Sequence, residues 1–374
     1  MNSSNFTLQE SYCSYFNDVR DFYLPLHGYT SLIVCLFGSV ANLLNIMVLT
    51  RREMSSPTNA ILTGLAVADL LVMLEYIPFA WYTIYKATSP STKELYTYSL
   101  TLCIYLHSNF SQVCHTISIW LTVTLAIWRY IAVAYPQRNH EWCGPQKTIL
   151  IITSGYIVSP LINIPLFLAF SIQPVTKTLN ESGYITDNAS VAINTTIYLI
   201  DVSELGQKND NLLIDINFWV YSIVIKIIPC LALTLLSGGL IWALMQAKRR
   251  RKQLMQGSKK TPRNIENDRT TDRTTKMLLA VLLLFLITEL PQGILGLLSL
   301  FFGRRFFERC YVRVGDIMDI LALLNSAINF ILYCTMSRQF RKTFSLLFRP
   351  RWLPVAQTEN GINLNHTTTM VTQV

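Results

Sequence analysis

The stretch Leu65-Ala66-Val67-Ala68-Asp69-Leu70-Leu71-Val72-Met73-Leu74-Glu75 lies inside an apolar run that extends from about 60 to 84. A run of that length crosses the hydrocarbon core of a bilayer as a helix, which takes about 20 residues. Polar groups inside a span are costly unless paired or wet, so Asp69 and Glu75 are functional candidates from the outset. Six further runs of similar length lie near 28–50, 101–134, 147–171, 213–245, 277–302 and 312–336. Seven spans put the two ends of the chain on opposite sides of a membrane.

Composition agrees. Of the 374 residues, 51% are hydrophobic and 14% charged, against about 25% charged in soluble proteins. Mean hydropathy is +0.34. The predicted fold is an all-α membrane protein, a seven-transmembrane helix bundle with a short amphipathic eighth helix. The domains read as an extracellular tail over 1–27, a bundle over 28–348 with the amphipathic helix at 338–348, and a cytoplasmic tail over 349–374.

The net charge of +9 is uneven. Eleven Lys and Arg lie between Lys248 and Lys276, against Glu266, Asp268 and Asp272. Arg51, Arg52, Arg138, Lys147, Arg338, Arg341, Lys342, Arg349 and Arg351 fall on the same side if the N-terminus is outside. That asymmetry orients a multi-pass plasma-membrane protein with an extracellular N-terminus and a cytoplasmic C-terminus. A nucleic-acid partner is excluded, because the basic run lies between two spans. Residues 1–16 lack the basic start and apolar stretch of a cleavable signal, so the first span is expected to act as signal anchor. Glycosylation acceptors at Asn2, Asn5, Asn180, Asn188 and Asn194 all fall on the outside.

The segment from about 172 to 212 is the longest outside loop, and its alternating stretch Ile197-Tyr198-Leu199-Ile200 predicts a hairpin over the bundle mouth. The loop 247–275 is highly charged. After the seventh span, Phe340, Phe344 and Phe348 recur at helical spacing, which predicts an amphipathic helix on the inner leaflet. No internal repeat points to a transporter.

Asn42, Asp69, Ser118, Asn325 and Asn329 are spaced to converge at mid-membrane. Gly38 to Asn42 with Leu43-Leu44, then Leu65 to Leu70, Trp128-Arg129-Tyr130, Pro229, Pro291, and Asn329-Phe330-Ile331-Leu332-Tyr333 fall in order on spans one, two, three, five, six and seven. This ordered set resembles the rhodopsin-like G-protein-coupled receptors over about 28–348. In detail it is most similar to the invertebrate myosuppressin and FMRFamide-type neuropeptide receptors, whose third span ends in the same Trp-Arg-Tyr.

The resemblance implies that Asp69, Ser118, Asn325 and Asn329 line a sodium-binding cavity; a hydrogen-bonded network without an ion is the other reading. No other cofactor is expected. Arg129 and Tyr130 at the inner end of span three, with Pro229, Pro291 and Tyr333, are the expected coupling and switch positions for a heterotrimeric G protein. The usual acid before Arg129 is replaced by Trp128, and the base of span six carries Thr271 and Asp272 in place of Glu. Weakened inactive-state charge pairs, and hence basal signalling, are the expectation. Glu289 stands where the family has its switch Trp, and Phe330 where it has Pro.

Glu289 and Lys226 lie close to Pro291 and Pro229 in the outer half of the bundle. Two readings stand: a buried ion pair with each other, or Glu289, Glu75 or Asp316 receiving a ligand cation. A peptide ending in Arg-Phe-amide would supply a guanidinium, for which a carboxylate is the bidentate partner. His107, Gln112 and His115 are further candidate ligand contacts. The family staple, from the top of span three to the second outside loop, cannot form, because that loop has no cysteine. Cys13, Cys103 and Cys310 are the outside cysteines; all three pairings stay open, with Cys13–Cys310 favoured.

The function so implied is that of a receptor for an extracellular amidated neuropeptide, coupled to G-protein activation. A receptor for a small non-peptide ligand is the alternative, and a seven-span transporter a more distant one. Arrestin and a receptor kinase acting at Thr367, Thr368, Thr369 and Thr372 are expected partners. The terminal Thr372-Gln373-Val374 resembles a PDZ ligand. An opsin is disfavoured by the absence of lysine from 312–336, and an amine receptor by the absence of Asp from span three. No residue constellation supports an enzyme.

Overall fold

The computed structural model describes residues 3–88, 90–186, 193–208, 210–254, 283–303 and 306–348. Seven helices are long and apolar enough to cross a membrane. The first, α1, runs Ser3–Leu49. Its membrane-competent part begins at Arg20, but helical backbone continues outward where the sequence predicts only a polar tail over 1–27. From Ser3 to Leu24 there is no Gly or Pro to stop it, and a nucleated helix propagates until something does.

Helix α2, Pro57–Ala87, starts with Ser56 accepting from the Asn59 N–H at 3.2 Å and Pro57 in the first turn. Both features satisfy or remove otherwise unpaired donors. Helix α3 is Tyr98–Ala134. Helix α4, Pro145–Ile162, breaks at Asn163 and resumes as Ile164–Ala169. Pro165 explains the break, since it cannot donate back along the chain. The expected hairpin forms from β1, Phe170–Leu179, and β2, Ile193–Val202, paired antiparallel with Phe170 opposite Val202.

Helix α5 begins with Leu212–Trp219, widens to a π-helical stretch over Val220–Ile227, and returns to α geometry over Ile228–Leu254. Pro229 follows the wide stretch, and its missing N–H and ring force the backbone open there. Helix α6 is Leu283–Phe302. Helix α7, Val312–Met336, is followed by α8, Arg338–Phe348, the predicted amphipathic helix.

Helix α1 packs on α2 and α7, and α3 packs on α2 and α5. Small residues permit the close approaches. A Cβ at Gly155 of α4 would stand 2.6 Å from the Trp120 ring of α3. One at Gly296 of α6 would collide with the Ser222 side chain of α5. In lipid such contacts, rather than water exclusion, hold helices together. The hairpin is held to α3 and to the segment just before it without a disulfide. The Thr101 hydroxyl donates to the Tyr198 carbonyl at 2.9 Å, and the Tyr198 N–H donates to the Tyr96 carbonyl at 2.9 Å.

Candidate functional site

The outer half of the bundle encloses a cavity of about 450 Å³. Its α2 and α3 wall carries Tyr76, Phe79, His107, Gln112 and His115. Its α5 and α6 wall carries Tyr221, Lys226 and Gln292, and α7 contributes Asp319. Histidine–carboxylate contacts order the α1, α2, α3 and α7 side. His107 Nδ1 lies 2.6 Å from Glu75 Oε2, and its ring stacks on Phe79 with centroids 4.0 Å apart. His27, fully buried on α1, places Nε2 3.1 Å from the Tyr76 hydroxyl and 3.9 Å from Asp316 Oδ1. Asp319 has the Tyr76 side chain as hydrogen-bond partner. Across the cavity, the Tyr221 hydroxyl lies 3.1 Å from that of Tyr311 and 3.3 Å from Gln292 Oε1.

The cavity floor is a triad. Lys226 Nζ donates to Glu289 Oε2 at 2.6 Å, and His115 Nε2 lies 2.9 Å from the same oxygen. Glu289 is 0% exposed and Lys226 1%. The widened turn before Pro229 contains Lys226, and its side chain meets α6 here. The geometry is the ion-pair arrangement of the two sequence readings. Glu289 does not line the outer cavity, whereas Lys226 and His115 do.

Below the floor lies a second cavity, about 80 Å³, lined by Asp69, Ser118, Asn325, Ser326 and Asn329, and further inward by Arg129 and Tyr333. The four candidate cation-binding residues therefore do converge. The Ser118 hydroxyl donates to Asp69 Oδ1 at 2.8 Å, and Asn329 Nδ2 donates to Asp69 Oδ2 at 3.0 Å. Asn42 Nδ2 bridges to the Ser326 carbonyl at 3.1 Å. His115 lines both cavities.

Residues 29–351 match the family described as serpentine type 7TM GPCR chemoreceptor Srw. The chain belongs to the G-protein-coupled receptors. Among curated relatives, the G-protein coupled receptor dmsr-1 of Caenorhabditis elegans is 32% identical over 90% of this chain and 70% of its own. The sex peptide receptor of Drosophila melanogaster is 27% identical over 92% of this chain and 78% of its own. The FMRFamide receptor of Drosophila melanogaster is 26% identical over 86% of this chain and 53% of its own.

At the inner end of the receptor, Trp128 replaces the acid with a different contact. Its Nε1 donates to the Thr148 hydroxyl at 3.0 Å, tying α3 to α4. Among the described residues, no carboxylate comes within 4.0 Å of Arg129. Thr271 and Asp272 lie outside the described residues. Tyr130 faces Gly239 of α5. Phe330, where Pro is usual, packs on α8, with ring centroids 6.0 Å from Phe340 and 5.8 Å from Phe344. Tyr333 joins the same cluster.

The cysteines need one correction. Cys310 is disulfide-bonded, but Cys103 is a free, exposed thiol, so neither pairing through Cys103 holds. Cys103 instead lines a groove with Leu32, Trp81 and Tyr82. Of the acceptor asparagines, Asn194 is exposed on β2. Asn180 uses its side-chain oxygen to accept the Tyr184 N–H at 2.9 Å. Asn2, Asn188, the basic loop from 255 and the threonine-rich tail lie outside the described residues, as do the side chains of Asn5 and Cys13.

Sequence reasoning missed Asp319, Gln292 and Tyr311. A signal for Asp319 existed. It is a carboxylate within a span, one helical turn beyond Asp316, and so carries the same functional presumption.

Proposed function

We propose that this receptor is opened from the extracellular side by an amidated peptide of the FMRFamide or myosuppressin type. The observation that carries this reading is the outer cavity, whose charged and hydrogen-bonding walls suit a polar, cationic peptide end. The names of the relatives point the same way. Of the candidate ligand contacts, His107, Gln112, His115 and Lys226 line that cavity. Gln112 offers a buried Nε2 donor without a partner among the described residues. It suits a ligand carbonyl, because an unpaired buried donor gains most from one.

The receptor works at the plasma membrane with its N-terminus outside, as the loop charges require. Peptide binding favours the bundle arrangement whose inner face, around Arg129, takes up a heterotrimeric G protein. The ligand shifts that balance only by its differential affinity for the two arrangements. Arrestin, a receptor kinase and a PDZ protein act on the cytoplasmic tail. A disulfide between Cys13 and Cys310 ties the outer end of α1 to the start of α7. The Asp69 carboxylate with the oxygens of Ser118, Asn325 and Asn329 suits sodium, a hard cation that takes oxygen ligands.

A second reading, a small non-peptide ligand, draws support from the matching family's description as chemoreceptors. The deciding experiment is ligand-stimulated nucleotide exchange on G protein in membranes bearing the receptor. Amidated neuropeptides and small molecules are tested side by side. Activation by an amidated peptide, and weaker activation by its free-acid form, is the expected result. Activation by small molecules alone would overturn the peptide reading.

A further inference from the structure

We propose that Asp319 is the residue that receives the ligand's cationic side chain and so sets the receptor's specificity for it. This rests on the reading of the outer cavity as the ligand site. Four intramembrane carboxylates lie near that cavity, and of these Asp319 is the one that lines it. Glu289 is 0% exposed and shares one oxygen between Lys226 and His115. A ligand cation reaching it would meet the Lys226 charge first. Glu75 faces His107 at 2.6 Å, and His107 rather than Glu75 lines the cavity. Asp316 stands by His27 at 3.9 Å and is likewise absent from the lining.

Asp319 differs in its place. It lines the cavity. Among the described residues no Lys, Arg or His nitrogen comes within 4.0 Å of it. Its hydrogen-bond partner is the neutral Tyr76 side chain. An ionised carboxylate accepts about four hydrogen bonds, so most of its capacity is open. Asp319 is partly buried, and the His107 and Lys226 charges act on it only from beyond 4.0 Å, so a bidentate guanidinium answers both its charge and its geometry. Tyr76 is itself held by His27 at 3.1 Å, which fixes the direction from which Asp319 is supported. Asp319 of α7 and Lys226 of α5 both line the cavity, and Lys226 is already paired with Glu289. A ligand carrying a cation therefore enters with that cation toward α7.

The test uses matched amidated peptides that differ only in arginine against citrulline, its neutral isostere, on wild-type receptor and on Asp319→Asn at equal surface expression. On wild type the arginine peptide is expected to be at least about tenfold more potent in nucleotide exchange, the scale of a charge-assisted hydrogen bond. On Asp319→Asn that ratio collapses toward unity, through loss of the arginine peptide's advantage. Asp316→Asn, at a carboxylate outside the cavity lining, leaves the ratio near the wild-type value. A wild-type ratio on Asp319→Asn, or a collapse on Asp316→Asn alone, overturns the proposal. Should Asp319→Asn not reach the surface, Asp319→Glu carries the test. Moving the charge by one methylene changes the ratio, and an unchanged ratio overturns the proposal. Failure of every amidated peptide on wild type instead overturns the peptide-receptor reading itself, a distinguishable outcome.

Discussion

The outer and inner halves of this receptor treat buried charge in opposite ways. In the outer half, Lys226, Glu289 and His115 close on one another, and the His107 ring lies 2.6 Å from Glu75. In the inner half, Arg129 has no carboxylate within 4.0 Å among the described residues, and the residue before it is a tryptophan bonded to Thr148. The difference teaches where restraint resides. Charge pairs hold helices where partners come from several elements and water is scarce. Here they hold α3, α5 and α6 beside the outer cavity rather than at the inner end of α3.

The largest effect that would break this comparison is expected at the triad. Glu289→Gln strands a buried ammonium, which costs about 3–5 kcal/mol. Purified receptor should lose thermal stability markedly, and adding Lys226→Met should restore much of it. A single variant as stable as wild type would deny the triad its structural role. Next in size is basal output. With no carboxylate within 4.0 Å of Arg129 among the described residues, unliganded receptor at high surface expression should drive measurable nucleotide exchange; silence would mean that another contact restrains the inner face. Asp69→Asn should then abolish any dependence of agonist affinity on sodium, read by binding in sodium against a large organic cation. Affinity indifferent to sodium in the wild type would leave the Asp69 cluster a hydrogen-bonded network.

Smaller changes sharpen the comparison. Trp128→Phe removes the bond to Thr148 but keeps an aromatic ring, and should cost about 1 kcal/mol, seen as a modest drop in melting temperature. Cys103→Ser should leave surface expression and potency unchanged, because Cys103 is a free, exposed thiol outside the outer-cavity lining. Loss of expression would show that Cys103 has a partner after all.

Much of the fold was legible because it is written locally. The seven runs, the hairpin around Ile197 and the amphipathic helix at 338–348 each follow from spacing within one segment, and each was found near its predicted bounds. The convergence of Asp69, Ser118, Asn325 and Asn329 was legible for a related reason, since each is a polar group that lipid forbids on the outer face. The helical extension over the expected tail was not legible. Nothing polar in that stretch distinguishes helix from coil except the absence of a stop. The choice among Glu75, Glu289, Asp316 and Asp319 was not legible either.

The sequence by itself determined that seven helices cross a membrane, which end faces the basic side, and which side chains must turn inward. Each of those is set by the length, charge or period of a single segment. Only the tertiary structure decided that Glu289 is closed by Lys226 and His115 while Asp319 stays open to the cavity. His115 and Glu289 are 174 positions apart in the chain. Helical periodicity places a residue on a face of its own helix. It does not say which residue of another helix that face will meet, because crossing points are set by small residues such as Gly155 and Gly296 and by the widened turn before Pro229.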